Sequence, residues 1–296
     1  MKKSLFIAFV VLLFSFAMIA QEGYYQKFNF TKSDTLRGML SKERACYDVT
    51  YYDLNIAVDI QKQFIKGFVD IHFNAVEEFD AMQIDLYRNM EISEITVNDY
   101  PLTFNRIYDA VFIHFPLKIK KGENTSVRVY YEGFPTAANN PPWDGGFVWE
   151  VDQQVRPWVG VACEGDGASL WWPNKDHLSD EPDSMSIRVA VPDGLTCVSN
   201  GNLRETKPFY PGYTLWDWFV SYPINNYNVS INIGHYANFK DTYVAMDGDS
   251  LELDYYVLDY NLEKAKIHFE QVKPMLRCYE KYFGKYPFWN DGYALV

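Results

Sequence analysis

Tyr52, Leu54, Ile56, Val58 and Ile60 alternate without interruption with Asp53, Asn55, Ala57 and Asp59. A period of two places every apolar side chain on one face of an extended strand and every polar one on the other. The pattern returns at Val69, Ile71 and Phe73, and again at Met82, Ile84 and Leu86. It continues through Ile92–Val97, through Val111, Ile113 and Phe115, and through Val127, Val129 and Tyr131. Turn signals separate the runs: Lys66-Gly67, Asn98-Asp99 and Lys121–Asn124. Short half-buried strands with closely spaced turns predict an all-β, antiparallel sandwich or saddle. Aromatic residues make up 18 % of the chain, with 23 Tyr, 21 Phe and 8 Trp, which favours strands and argues against an all-α bundle.

Further strands are expected at Ile187–Val191, Thr196–Ser199, Tyr213–Val220 and Val229–Ile233. The segment 135–147, PTAANNPPWDGGF, reads as a loop, and 163–184 as a second irregular segment. The period changes near residue 260. From Leu262 to Phe283 the apolar residues fall at helical spacing, with Asn261 placed to cap the start, Gly284 the end, and Pro274 inside at an expected bend. A strand is expected at 292–296. The chain therefore divides into residues 1–20, an extended arm over 21–45, a β domain over 46–240, and the opening of a mixed α/β domain over 241–296.

Residues 1–20 read as a secretory leader: Met1-Lys2-Lys3, then an apolar run ending at Ala20. The run is short for a stable membrane span. Export to the periplasm or outside the cell is the expectation. The net charge of −12 argues against a nucleic-acid partner, because that affinity rests on Lys and Arg neutralising phosphates. Export permits disulfides. Cys46, Cys163, Cys197 and Cys278 allow three pairings, and buried free thiols are an equal alternative.

The common catalytic signatures are absent. No two of the five His lie three or four apart, so H-E-x-x-H is missing, and there is no G-x-S-x-G, P-loop or G-x-G-x-x-G. Unusual chemistry is concentrated between Trp158 and Asp183. Glu164, Asp166, Asp176, Asp180, Glu181 and Asp183 crowd around His177, Trp158, Trp171 and Trp172. Three functional readings compete: a calcium loop, which matches no EF-hand spacing; a sugar platform on the Trp residues; and an acidic loop that binds a cationic amine. Against them stands a structural reading, with the Trp residues as core anchors and the Asp residues as turn formers.

Several segments in order resemble the N-terminal part of M1-family zinc aminopeptidases, the group of aminopeptidase N and leukotriene A4 hydrolase. They are 44–54 (RACYDVTYYDL), 84–86 (IDL), 129–133 (VYYEG), 180–182 (DEP), 198–201 (VSNG) and 282–288 (YFGKYPF), with Glu280 near an acid of the family pattern. The resemblance implies the saddle-like β domain followed by the start, strand and helix, of an α/β thermolysin-like catalytic domain. It implies zinc for the full-length family member, held by H-E-x-x-H and a further Glu, and a peptide as substrate. This sequence contains neither H-E-x-x-H nor a G-A-M-E-N-like segment. A truncated chain, inactive without its missing catalytic domain, is the expectation.

One family position has a counterpart. The resemblance makes Glu164 the anchor for the substrate's α-amine, and Trp171, Trp172 and His177 a candidate substrate-facing loop. Where many members have A-R-x-x-F-P-C before D-E-P, this chain has Ala168-Ser169 and Trp171-Trp172-Pro173-Asn174. The alternative function is a stand-alone, non-catalytic β-sandwich module that binds glycans or peptides through the Trp-rich loop.

Overall fold

The computed structural model describes residues 29–296. The leader expected over 1–20 and the first part of the arm lie outside the described residues. Arg37–Val296 form one compact unit, and the described residues up to Leu36 lie outside it.

Where it is described, the expected extended arm is mostly helical: α1 spans Lys32–Gly38 and α2 spans Lys42–Ala45. Local caps explain the difference. Thr31 donates through N and Oγ1 to Asp34 Oδ2 at 2.7 and 2.8 Å, and Asp34 N donates back to Thr31 Oγ1 at 3.3 Å. Ser41 Oγ accepts from Arg44 N at 3.3 Å. Each cap satisfies amide groups that a helix start leaves without intrahelical partners.

The strands in chain order begin with β1 (Tyr47–Asp59), β2 (Phe64–Ala75), β3 (Phe79–Asp85), β4 (Met90–Val97), β5 (Tyr100–Pro101) and β6 (Thr103–Ile107). They continue with β7 (Ala110–Ile119), β8 (Asn124–Gly133), β9 (Gly146–Val151), β10 (Pro157–Ala162), β11 (Ser184–Pro192) and β12 (Thr196–Ser199). The last are β13 (Asn202–Tyr210), β14 (Tyr213–Val220), β15 (Ile231–Gly234), β16 (Tyr236–Val244), β17 (Ser250–Leu258) and β18 (Tyr293–Leu295). The largest sheet has the order β13-β14-β11-β1-β2-β8-β4-β5. Three smaller sheets run β12-β15-β10-β9, β3-β7-β6 and β16-β17-β18. Pairing is antiparallel except β1 with β11 and β17 with β18. The protein is therefore mainly antiparallel β, as the alternation requires.

Tyr52, Leu54, Ile56 and Val58 of β1 are buried, as are Val69, Ile71 and Phe73 of β2 and Val127, Val129 and Tyr131 of β8. These faces belong to one large apolar core. The β1–β2 turn falls at residues 60–63, with Gln63 at φ 55°, and not at Lys66-Gly67. Gly67 sits inside β2, opposite Ile56 and Tyr131. A Cβ at Gly67 would overlap the Asn55 carbonyl oxygen, so glycine is here for close backbone approach.

A second apolar cluster joins Tyr243, Leu251, Leu253 and Tyr255 to Val272 and Leu276. The expected single bent helix is α3 (Leu262–His268), a 3-10 turn at Phe269–Gln271, and α4 (Val272–Phe283). Pro274 lies in the first turn of α4, where its missing N–H leaves nothing unpaired, so the break precedes it. Asn261 makes no side-chain cap. Gly284 does end α4, at φ 95°, with its N–H on Glu280 O at 3.0 Å. Arg156 ties the β9–β10 hairpin to the end of β17: Nη1 and Nη2 donate to Asp259 at 2.7 and 2.6 Å. Among the described residues, no helix is long and apolar enough to cross a membrane.

Candidate functional site

The loop after β10 carries Glu164. Asp166 N and Gly167 N both donate to Cys163 O, at 3.1 and 2.9 Å, closing a tight turn around Glu164 and Gly165. Gly165 and Gly167 adopt φ values of 71° and 81°, which glycine reaches without a Cβ penalty. The turn is also held from outside. Arg37 donates to the carbonyls of Gly165, at 3.2 Å, and Asp166.

Three carboxylates of this region, Asp166, Asp176 and Asp180, support the backbone, while Glu181 and Asp183 are exposed. Asp166 accepts from Tyr87 Oη at 2.8 Å and Gly145 N at 3.1 Å. Asp176 Oδ2 accepts from Ser169 N at 3.0 Å and Ser169 Oγ at 2.6 Å. Asp180 is buried, accepting from Val49 N and pairing with the Lys175 ammonium, which also donates to Tyr47 O at 2.6 Å. Glu164 differs from these three. Its side chain is exposed, and its hydrogen-bond partner is the Tyr227 hydroxyl, which donates to Oε2.

Trp171 and Trp172 are not on the surface. Both are fully buried. Trp172 meets Tyr52 edge-on, centroids 4.9 Å apart, and Trp171 meets Phe147 at 6.0 Å. The reason is a long-range bridge: Asp85 N donates to Asn174 O at 2.8 Å, and Asn174 N returns a bond to Asp85 O at 3.2 Å. This bridge draws the segment through the interior, and the indoles fill the space between sheets. The Trp pair is a core anchor, as the structural reading has it.

His177 is half-buried, and its Nδ1 accepts from Ser179 N at 3.1 Å. Burial, helped by the Arg44 charge, holds its pKa below the usual 6.5, so the ring is neutral near pH 7. His177 does reach the neighbourhood of Glu164. A recess of about 300 Å3 is lined by Arg37, Cys163, His177, Leu178, Asn225 and Tyr227, and Glu164 stands between two of its lining residues, Cys163 and Gly165. Trp158 lies elsewhere, its Nε1 donating to Tyr236 Oη at 2.8 Å.

Two contributors carry no sequence signal. Tyr227 lies in a polar loop between strands, and Arg37 in the expected arm. Only their contacts with the Glu164 turn reveal them. All four cysteines are free, with Cys278 exposed and the others buried. Burial pushes the Cys163 thiol up to about 12. Among the described residues, no group of His, Cys, Asp and Glu side chains could hold a metal ion. These residues do not fit a zinc centre.

No protein-family model matches the chain. Solved structures do. A two-domain M1 zinc metallopeptidase with a Glu-to-Ala mutation and bound L-tryptophan superposes with a TM-score of 0.70 at 20% identity, covering 84% of this chain and 57% of that one. This is the fold of the N-terminal part of M1 zinc metallopeptidases. An M1 zinc metallopeptidase from Deinococcus radiodurans, mutated likewise and bound to a Tyr-Ser-Ala substrate, gives 0.67 at 19% identity, over 84% of this chain and 56% of that one. The present chain thus spans little more than half the length of these M1 structures. At such identities the likeness is one of fold. It accords with the N-terminal M1 domain expected from the ordered segments between Arg44 and Phe288.

Proposed function

We propose that this chain is the N-terminal portion of an exported M1-type zinc aminopeptidase, comprising the β domain and the start of the catalytic domain, and that Glu164 holds the free α-amine of the peptide. The observation that carries the reading is the exposed Glu164 carboxylate, projecting from a braced turn on a fold like that of M1 structures, while Asp166, Asp176 and Asp180 are committed to backbone support. An ammonium group and a carboxylate form a strong, charge-assisted hydrogen bond. Such an anchor would fix the distance from the peptide's first nitrogen to the reacting bond, and so select that bond.

The ligands bound by the similar structures, a Tyr-Ser-Ala substrate and L-tryptophan, support a peptide as the substrate class. Zinc would activate water in such an enzyme, but its ligands would come from residues other than those described here. This chain's own contribution is to bind and orient the amine. The apolar cluster of β16–β18 and α4 supports a second domain opening near residue 240. Met1-Lys2-Lys3 and the apolar run to Ala20 support export. The alternative, a stand-alone module for glycans or peptides, loses its Trp171–Trp172 platform to the core.

The test is to express the full product of the reading frame and assay it on an aminoacyl-p-nitroanilide. Activity that a chelator abolishes and zinc restores is the expected result. Activity indifferent to chelation, or none at all, contradicts the reading.

A further inference from the structure

The Glu164 carboxylate is held from a second loop. The segment between β14 and β15 forms a 3-10 turn, Asn226–Asn228, capped by Asn225 Oδ1, which accepts from Tyr227 N at 2.9 Å. Asn226 is buried, and its Nδ2 donates to Asn174 Oδ1 and Lys175 O, both at 3.0 Å. The turn is therefore fastened to the same WWPN segment that the core grips. Tyr227 follows this buried amide, and its own N–H is held by the cap. The residue is 41% exposed, and its hydroxyl reaches across to Glu164 Oε2. The carboxylate beside it holds the Tyr227 phenol above its usual range, so the hydroxyl keeps its proton and acts as the donor.

We infer that Tyr227 is a positioning residue for the amine anchor: it fixes one carboxylate oxygen of Glu164 and leaves the other free for the substrate's ammonium group. The inference rests on the proposed role of Glu164. A glutamate side chain on an exposed turn samples many rotamers, and a ligand that needs one of them bears the cost of selecting it. A phenolic donor on a rigid turn selects that rotamer in advance. Two features of the structure favour this over a purely structural role. Tyr227 is exposed and belongs to neither apolar cluster, so its hydroxyl adds little to core packing. The turn also has its own fastening through Asn225 and Asn226, so it does not depend on Tyr227 to keep its shape.

The experiment is a double-mutant cycle in the full product of the reading frame, with Tyr227→Phe, Glu164→Ala and the pair. KM and kcat are measured on an aminoacyl-p-nitroanilide, and folding is followed by thermal melting. Tyr227→Phe should leave the melting temperature unchanged and raise KM about tenfold, the scale of a hydrogen bond to a charged group, with kcat little altered. In the Glu164→Ala background the same change should have no further effect. If Glu164→Ala raises KM and Tyr227→Phe does not, the positioning role is overturned while the amine anchor stands. Additive effects of the two changes also overturn it, because Tyr227 would then act independently of Glu164. If Glu164→Ala leaves kinetics unchanged, or the product has no aminopeptidase activity, the anchor reading falls and takes this inference with it.

Discussion

The ring of Tyr52 meets Trp172 edge-on, with centroids 4.9 Å apart and planes at 89°. Tyr52 Oη in turn accepts from Lys175 N at 3.1 Å. One side chain of the central strand β1 thus packs the second indole and satisfies the backbone that follows it. Trp172→Ala should cost about 3–5 kcal/mol, the range for truncating a buried aromatic residue. Trp143, 71% exposed in the 135–147 loop, is the control, and Trp143→Ala should change stability by less than about 0.5 kcal/mol. Urea denaturation of both variants measures the contrast.

Arg44 and Asp85 form a buried pair 2.6 Å apart. Arg44 Nη1 also donates to Arg37 O at 2.6 Å and Met39 O at 2.9 Å. Removing the cation would strand a carboxylate in the core. Arg44→Ala should therefore destabilise the chain by about 3–5 kcal/mol. Replacing Lys42, whose side chain is 89% exposed, should do almost nothing in the same denaturation experiment.

The same carboxyl sets a pH dependence. Burial pushes Asp85 up to about 6 from 3.8, with Arg44 opposing only in part. Between those values the folded chain keeps a proton that the unfolded chain releases, so stability falls as pH rises. The contribution is complete below about pH 4 and lost above about pH 6. Asp85→Asn has no such proton to lose. Denaturation at several pH values should show the wild type losing stability relative to Asp85→Asn across this window, and a constant difference would contradict the assignment.

Gly67 offers a sharp test of the β1–β2 register. Gly67→Ala forces a methyl group onto the Asn55 carbonyl and should cost about 3 kcal/mol or more. Gly38→Ala, where nothing lies within 4 Å and no left-handed φ is needed, should be nearly neutral.

Legibility in the sequence follows burial. β1, β2 and β8 could be read because each has one wet face and one dry face. All nine residues of β13 are exposed, so no alternation marks it. The Lys66-Gly67 pair reads as a turn because glycine has two uses, positive φ and close approach, and only packing shows which applies. Trp171 and Trp172 sit in a stretch rich in turn formers. Their burial depends on backbone bonds between Asn174 and Asp85, 89 residues apart in sequence, which no local pattern encodes. The proposal for Glu164 rests on its place in an ordered series of family segments. Tyr227 has no such mark, because its contribution is a single hydroxyl carried across 63 residues of sequence.

The most direct test compares kcat/KM of the full product on a peptide with a free N-terminus and on its N-acetylated copy, for wild type and Glu164→Ala. The account predicts that the wild type cleaves only the free peptide, and that Glu164→Ala lowers its kcat/KM by about 10- to 100-fold. Equal cleavage of both peptides by the wild type, or full activity in Glu164→Ala, would contradict it.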